Sequence, residues 1–172
     1  SDNILTDVNV EWVANDAWNS NGATGTPDEK LMKGIQKANP NPNTDEATSY
    51  MYFRWHNLLP GSTYNVIVYH AHNSANAKAN TRVGATTYYS ENQASYGGSL
   101  IQGTNTTAGT YPVANVVRFE NVSPDGSGTI EVEVKKFIEA PQLTDGVGVA
   151  GLQLELLTGA WPEVNPPNIL QD

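Results

Sequence analysis

The 172-residue chain contains no cysteine, and this absence removes several kinds of chemistry together. Disulfide bonds, thiolate catalysis and cysteine-ligated zinc are all excluded. Long apolar runs are missing as well, and none approaches the roughly 20 residues that a membrane-spanning helix requires. We therefore expect no membrane insertion, and the length favours one domain with one hydrophobic core.

Positive charge is also scarce. The chain has nine Lys and Arg residues against eighteen Asp and Glu residues, which gives a formal net charge of −9 with neutral histidines. A surface of this sign repels the phosphates of nucleic acids and the anionic headgroups of membranes. The charge therefore argues against nucleic acid as a partner.

Turn-forming residues are abundant, whereas apolar and charged residues are few. Hydrophobic residues account for 38% of the chain and charged residues for 16%, and the chain holds 19 Asn, 15 Gly and 10 Pro. Such a composition is typical of short strands joined by turns rather than of a helical bundle. The sequence predicts an all-β domain over residues 1–160 and a proline-rich tail or linker over residues 161–172.

Alternation of apolar and polar residues marks the strands. In residues 49–56, Met51, Phe53 and Trp55 alternate with polar residues, and a second strand over residues 64–72 follows a Pro-Gly turn. Roughly eight or nine such strands predict an antiparallel two-sheet β-sandwich of jelly-roll type. At most one short helix is expected, beginning at the capping-box pattern from Thr26 to Glu29, with Leu31 and Ile35 four residues apart, and ending before Asn39-Pro40. The other predicted strands are residues 9–14, expected near the last strand, residues 81–83 and 86–90, expected to form a tight hairpin at Gly84-Ala85, and residues 99–102, 114–122, 129–136 and 147–157. In the last of these strands Leu152, Leu154 and Leu156 are expected to point inward.

The strands over residues 49–56 and 64–72 are interpreted as a hairpin. Its register decides the functional hypothesis, because a slip of one residue exchanges the two faces. The register that places Phe53 opposite Val66 collects the aliphatic residues on one face, where each large side chain gains about 1.5–3 kcal/mol from burial. The opposite face then presents Tyr50, Tyr52, Arg54 and Tyr69.

This second face is suited to binding sugars. A tyrosine ring offers a flat apolar face and a hydroxyl at its tip, which match the C–H patch and the hydroxyl rim of a sugar ring. Arg54 adds donors for hydroxyls, or a partner for a carboxylate or sulfate. The alternative is that loops or the tail cover the tyrosines, or that they serve as good strand formers. Trp18 is a further candidate for a sugar-stacking residue at the rim, and Tyr88, Tyr89 and Tyr96 are secondary candidates.

Five segments of the chain follow one another in a recognisable order. They are Tyr-Asn-Val-Ile-Val-Tyr at residues 64–69, followed by residues 82–89, 117–122, 125–130 and 149–154. This order resembles the jelly-roll accessory domains of large secreted bacterial proteins, many of which are attached to polysaccharide-degrading enzymes. The resemblance implies a non-catalytic carbohydrate-binding module that targets a secreted enzyme or surface protein to a polysaccharide or oligosaccharide. It also implies an extracellular location within a larger multidomain protein.

Two other functions remain open. A structural or adhesive spacer domain of an extracellular protein would keep the same fold and bind no sugar. A small polysaccharide lyase would need a tyrosine or histidine base and an arginine to neutralise a uronate, roles that Tyr52, Arg54 and His70 can fill. The sequence contains no serine-hydrolase, metalloprotease or phosphate-loop motif, so we expect a non-catalytic domain.

Metal binding is a weaker expectation. Calcium takes six to eight oxygen ligands, and carboxylates near the two chain ends, which a sandwich brings together, are candidates for a structural calcium ion. His70 and His72 lie two residues apart on one strand face, a spacing able to hold a metal, although hydrogen-bonded histidines are the commoner outcome. The acidic candidates are Asp7, Glu11, Asp16 and Glu155.

Overall fold

The computed structural model describes residues 7–14, 16–19, 26–38, 50–71, 77–92, 97–137, 147–160 and 162. Within these ranges the chain is nearly all β, as predicted, and no helix has the length and apolar character needed to cross a membrane. Except for Pro162, the predicted tail lies outside the described residues. The elements are β1 (Asn9–Val13), β2 (Asp16–Asn19), α1 (Pro27–Leu31), β3 (Gly34–Ala38), β4 (Tyr50–His56), β5 (Thr63–His70), β6 (Lys78–Val83), β7 (Thr86–Glu91), β8 (Gln102–Gly103), β9 (Val116–Val122), β10 (Ile130–Lys136) and β11 (Val147–Thr158).

The strands form two sheets in which almost all neighbours are antiparallel. The five-stranded sheet has the order β1-β4-β10-β6-β7, and the six-stranded sheet has the order β2-β3-β11-β5-β9-β8. Among the described strands only β8 and β9 pair in parallel. The chain changes sheet after most strands, and the predicted β6–β7 hairpin is an exception. It turns at Gly84, whose φ of +55° suits a residue without a side chain.

One buried cluster draws side chains from both sheets. Its members alternate along each strand with residues of the opposite face, as the sequence predicted for β4, β5 and β10. We call the face that carries this cluster the inner face of each sheet, and the opposite face its outer face. The members from β4 and β5 are Met51, Phe53, Trp55, Tyr64, Val66 and Val68.

β4 and β5 do not form a hairpin, so that prediction is wrong. β4 pairs with β1 and β10, whereas β5 pairs with β11 and β9 in the other sheet. The alternation identifies correctly which residues of each strand belong to the buried cluster, but it carries no information about the partner strand. The apolar faces of β4 and β5 enter the same cluster from different sheets.

β1 also has a partner other than the expected one. The sequence places it near the last strand, β11, but β1 lies beside β4 at the edge of the five-stranded sheet. Asn9 lies opposite His56, and Glu11 lies opposite Arg54. This register brings a carboxylate of β1 next to a guanidinium of β4, and opposite charges across a strand pair favour the pairing.

The helix is shorter than the sequence spacing suggests. α1 ends at Leu31, and Ile35, which lies at helical spacing from it, belongs instead to β3. Gly34 begins β3, in keeping with the low helix propensity of glycine. Met32 and Ile35 are members of a second small buried cluster, against which Leu31 and Tyr69 pack on the outer face of the six-stranded sheet. The sequence did not predict β2 or β3.

A bulge in β11 brings two sets of apolar residues of one strand to the inner face. Val147 and Val149 belong to the buried cluster, and a register shift then occurs between Val149 and Gly151. After the shift Leu152 and Leu154 pack against the same cluster. The extra residue of a bulge exchanges odd for even positions, and the prediction that these leucines point inward is confirmed.

Candidate functional site

The outer face of the five-stranded sheet holds three of the four residues predicted to form a sugar platform. Tyr50, Tyr52 and Arg54 project from β4 on the same face, and Tyr50 is the most open of them at 38% exposure. Carboxylates from β1 and β10 lie in the adjacent rows. We call this set the outer-face ladder; it consists of Glu11, Tyr50, Tyr52, Arg54, His56 and Glu131.

Neighbours on β4 occupy both faces of the Tyr52 ring. The Tyr50 ring stacks beside it, with ring centroids 6.4 Å apart and planes inclined by 21°. The guanidinium carbon of Arg54 lies 4.0 Å from the centroid of the same ring. Because Tyr50 and Arg54 precede and follow Tyr52 by two residues, they lie on opposite sides of its ring along the strand. Of the two tyrosine rings, that of Tyr50 is therefore the more accessible.

Two carboxylates of the ladder hold Arg54. Its Nε donates to Oε2 of Glu131 at 2.6 Å, and its Nη1 lies 3.6 Å from Oε1 of Glu11. The hydrogen bond to Glu131 raises the pKa of Arg54. The pKa of Glu11 is lowered, chiefly by its hydrogen bond with His56 and further by the charge of Arg54. The guanidinium is thus neutralised within the fold, which weakens its attraction for a sugar carboxylate or sulfate.

Tyr69, the fourth predicted member of the platform, lies on the other sheet. β5 belongs to the six-stranded sheet, and there the Tyr69 ring packs against the cluster that includes Met32, with Leu31 beside it. The Tyr69 hydroxyl donates to Oε1 of Gln153 at 3.1 Å. The prediction that all the platform residues share one surface is therefore wrong, because it depended on the β4–β5 hairpin.

The other aromatic candidates are scattered. Trp18 lies in β2, opposite Ile35, at the edge of the six-stranded sheet, but its side chain falls outside the described part of the chain, as does all of Tyr96. Tyr89 meets Tyr111 edge to face, with ring centroids 5.8 Å apart. None of these contacts joins them to the outer-face ladder.

The three residues proposed for a lyase are not brought together. Tyr52 and Arg54 lie on an outer face, whereas His70 is buried on the inner face of the other sheet, with its Nε2 3.0 Å from Oγ1 of Thr81. Burial lowers the pKa of His70 to about 4, which keeps the imidazole neutral. His70 therefore links the two sheets. Its predicted companion in a metal pair, His72, lies outside the described residues.

The four acidic candidates for calcium do not form one site. Glu11 belongs to the outer-face ladder, whereas Glu155 lies in the other sheet with its Oε2 2.9 Å from Nη2 of Arg118. Asp7 is exposed, and the side chain of Asp16 is not described. Among the described residues no group of three or more acidic or histidine side chains is arranged to hold a metal ion. Because Glu11 and Glu155 lie in different sheets and each has a cationic partner, they do not fit one calcium ion.

A groove opens between the β6–β7 turn and the segment that joins β9 to β10. It consists of two adjoining pockets with volumes of about 550 Å³ and about 260 Å³. The pockets share the walls formed by Val83, Gly84, Val122 and Ser123. We call this feature the end groove. The residues that line one of the two pockets include Arg82, Tyr88, Gln102, Thr104, Arg118, Glu120, Asn121, Asp125 and Glu131.

Tyr88 gives the end groove an aromatic wall. Its ring packs against Phe119 of the buried cluster, with centroids 4.8 Å apart, and the residue is partly exposed. Gln102, Thr104 and Asn121 add amide and hydroxyl groups around it. An anchored ring with polar groups about it matches the apolar face and hydroxyl rim of a sugar.

Two arginines stand at the rim of the end groove, and each is paired with carboxylate. Nε of Arg82 donates to Oε1 of Glu133 at 3.0 Å, and this bond raises the pKa of Arg82. Nη2 of Arg118 lies 2.9 Å from Glu155, and its Nε lies 3.4 Å from Glu120. A guanidinium carries five N–H donors, so each arginine has more donors than these contacts use.

Sequence reasoning did not single out most of the groove residues. The groove forms where two turns that are far apart in the sequence come together, and a periodic pattern of residues does not predict which distant segments are neighbours. Asn121 gives one local signal, since this next-to-last residue of β9 has a φ of +56°, a conformation that asparagine tolerates better than most residues. Trp12 was also passed over, although at 57% exposure it is the most open large apolar side chain in the described part of the chain.

Known proteins offer no further guide to this surface. Comparisons of the chain with protein-family profiles, with curated proteins and with solved structures find no match. Function is therefore inferred from the geometry of the end groove and the outer-face ladder.

Proposed function

We propose that the chain is a non-catalytic carbohydrate-binding domain, folded as a two-sheet β-sandwich of jelly-roll type, whose end groove binds a polysaccharide or oligosaccharide. The sandwich arrangement is supported by the buried cluster that both sheets share and by a chain that changes sheet after most strands. The expected setting is a larger secreted or extracellular bacterial protein, as the resemblance of the sequence segments implies.

The end groove is the observation that carries this proposal. The volume of its larger pocket, about 550 Å³, falls in the range of small-ligand sites. Its wall combines the anchored ring of Tyr88 with amide, hydroxyl and guanidinium groups. An apolar face surrounded by donors and acceptors is the surface that a sugar ring requires.

The end groove is a better candidate than the outer-face ladder for a physical reason. In the ladder the faces of Tyr52 are covered and Arg54 is held by two carboxylates. A ligand there would have to displace contacts that the fold already makes, at a cost comparable to what it gains. In the groove, Tyr88 and Gln102 face open space.

Paired substitutions test the site. We expect Tyr88→Leu to reduce retention on a glycan affinity gel by about tenfold, as the loss of a central aromatic contact often does. Tyr50→Leu, on the outer-face ladder, is the matched control and should leave retention unchanged. Because Tyr88 also packs on the core, Gln102→Ala on the exposed strand β8 serves as a milder groove variant, with melting temperatures measured for all three proteins.

The outcomes separate the hypotheses. Loss of binding in Tyr50→Leu alone would move the site to the outer-face ladder. If the unsubstituted protein is retained by no polysaccharide in a broad panel, the carbohydrate-binding proposal is wrong.

The outer-face ladder favours a second candidate function, a structural or adhesive spacer. Its charged groups satisfy one another through Arg54, Glu11 and Glu131, and a spacer requires only a well-solvated surface of this kind. The same panel decides between the two functions, since a spacer is retained by no glycan.

A further inference from the structure

The charges around the end groove indicate which class of glycan it accepts. This inference depends on the proposed function, because it concerns the ligand of the same groove. We propose that the end groove binds uncharged glycans and rejects those that carry carboxylate or sulfate groups.

The cations of the groove are already neutralised. Arg82 is paired with Glu133, which also has Lys135 within 3.4 Å. Arg118 is paired with both Glu155 and Glu120. Each described arginine at the groove therefore has a carboxylate partner, whereas an isolated guanidinium is the group that recognises carboxylate or sulfate best.

Anionic groups outnumber cationic ones along the lining itself. Three carboxylates, of Glu120, Asp125 and Glu131, line the groove together with the two guanidiniums of Arg82 and Arg118, and Glu131 is also held by Arg54. The whole chain carries a net charge of −9. An acidic polymer entering the groove would meet this negative potential along its length.

The same carboxylates are useful to a neutral sugar. The Glu120 side chain is 66% exposed, and its Oε1 lies 3.4 Å from Nε of Arg118. Its oxygens can therefore also accept hydrogen bonds from sugar hydroxyls. Asp125 is less available in this way, because its Oδ1 already accepts bonds from the Ser127 amide, the Ser127 hydroxyl and the Thr129 amide. We therefore expect Glu120 to be the carboxylate that accepts hydrogen bonds from sugar hydroxyls and repels an anionic group.

Matched polymers test the inference. Neutral polysaccharides such as a β-glucan, a xylan and a mannan are compared on affinity gels with their own carboxymethylated or sulfated derivatives. We expect retention on at least one neutral polymer and about tenfold weaker retention on its charged derivative at low salt. The difference should shrink as salt is added, because salt screens the repulsion.

One variant assigns the discrimination to the groove. Glu120→Gln keeps one acceptor oxygen and removes the charge, so the ratio of its retention on the neutral polymer to its retention on the charged derivative should fall. Glu11→Gln, on the outer-face ladder, removes the same charge elsewhere and should leave the discrimination unchanged.

The results distinguish the two proposals. Equal or tighter binding of the charged derivative, falling as salt rises, overturns the inference about ligand class and leaves the proposed function standing. Discrimination that survives Glu120→Gln but disappears in Glu11→Gln overturns the assignment to the groove. Failure of every polymer, neutral or charged, overturns the proposed function itself.

Discussion

β4 and β5 carry the same kind of alternating sequence, yet their outer faces have different environments. On β4 the outer residues Tyr52 and Arg54 stay partly exposed in the ladder. On β5 the outer residues Asn65 and Ile67 are each only 6% exposed, and Tyr69 packs beside the residues that follow α1. Alternation therefore reports which residues face the core and does not report what covers the opposite face.

The two strands also differ in how they place polar groups. The tyrosines, arginine and histidine of β4 all lie on its outer face, where water and ion pairs reach them. β5 instead ends with His70 on its inner face, buried against Thr81. Substitutions of the polar and outer-face residues of β5 are therefore expected to affect stability more than those of the outer-face residues of β4.

The largest effect is expected at His70. Its pKa is about 4 in the folded chain, because burial penalises the charged imidazole, and about 6.5 in the unfolded chain. The unfolded state thus binds the proton more tightly, so the free energy of unfolding is undiminished above pH 6.5 and falls as the pH drops toward 4. This one group should cost about 3 kcal/mol of stability over that interval, measured by urea unfolding at a series of pH values.

Two variants isolate the contribution of His70. His70→Gln removes the titrating group and should flatten the decline in stability between pH 6.5 and pH 4, apart from the part that carboxylates contribute. Tyr50→Leu, on the ladder, changes no carboxylate and no histidine, and should keep the decline seen in the unsubstituted protein. Parallel curves for the unsubstituted protein and His70→Gln would show that His70 is not the source.

The next largest effect is expected at Tyr69. Tyr69→Ala removes a ring that packs against the second buried cluster and should lower the free energy of unfolding by about 2 kcal/mol, less than a fully buried aromatic residue would cost. Tyr69→Phe keeps the ring and loses only the bond to Gln153, so it should cost much less. Both variants should bind glycans as the unsubstituted protein does. A loss of glycan affinity without a loss of stability would show that Tyr69 belongs to the binding surface.

The sequence predicts local features of this fold well. The all-β class, the inner residues of β4, β5, β10 and β11, and the turn at Gly84 all follow from alternation and turn chemistry. Each of these features depends on residues close together in the chain. The prediction of a β4–β5 hairpin was wrong because strand pairing depends on which distant segments meet. Met51 and Val66 can be buried together whether their strands lie in one sheet or in two.

The candidate site follows the same rule. Tyr50, Tyr52 and Arg54 share a face as predicted, because they are alternate residues of one strand. Tyr69 does not join them, since its place depended on the hairpin. The end groove lies where residues near Gly84 meet residues near Asn121. The sequence of neither segment by itself predicts a binding surface.

The smallest effect is expected at Arg54 in the outer-face ladder. Arg54→Met keeps the apolar stem over the Tyr52 ring and removes the ion pairs with Glu131 and Glu11. Exposed ion pairs contribute little because solvent screens them and long side chains lose entropy in forming them. We expect a smaller loss of stability than for Tyr69→Ala, unchanged glycan retention, and a difference from the unsubstituted protein that shrinks as salt is added. A loss as large as that of Tyr69→Ala would mean that the exposed face of β4 supports the fold as strongly as the covered face of β5.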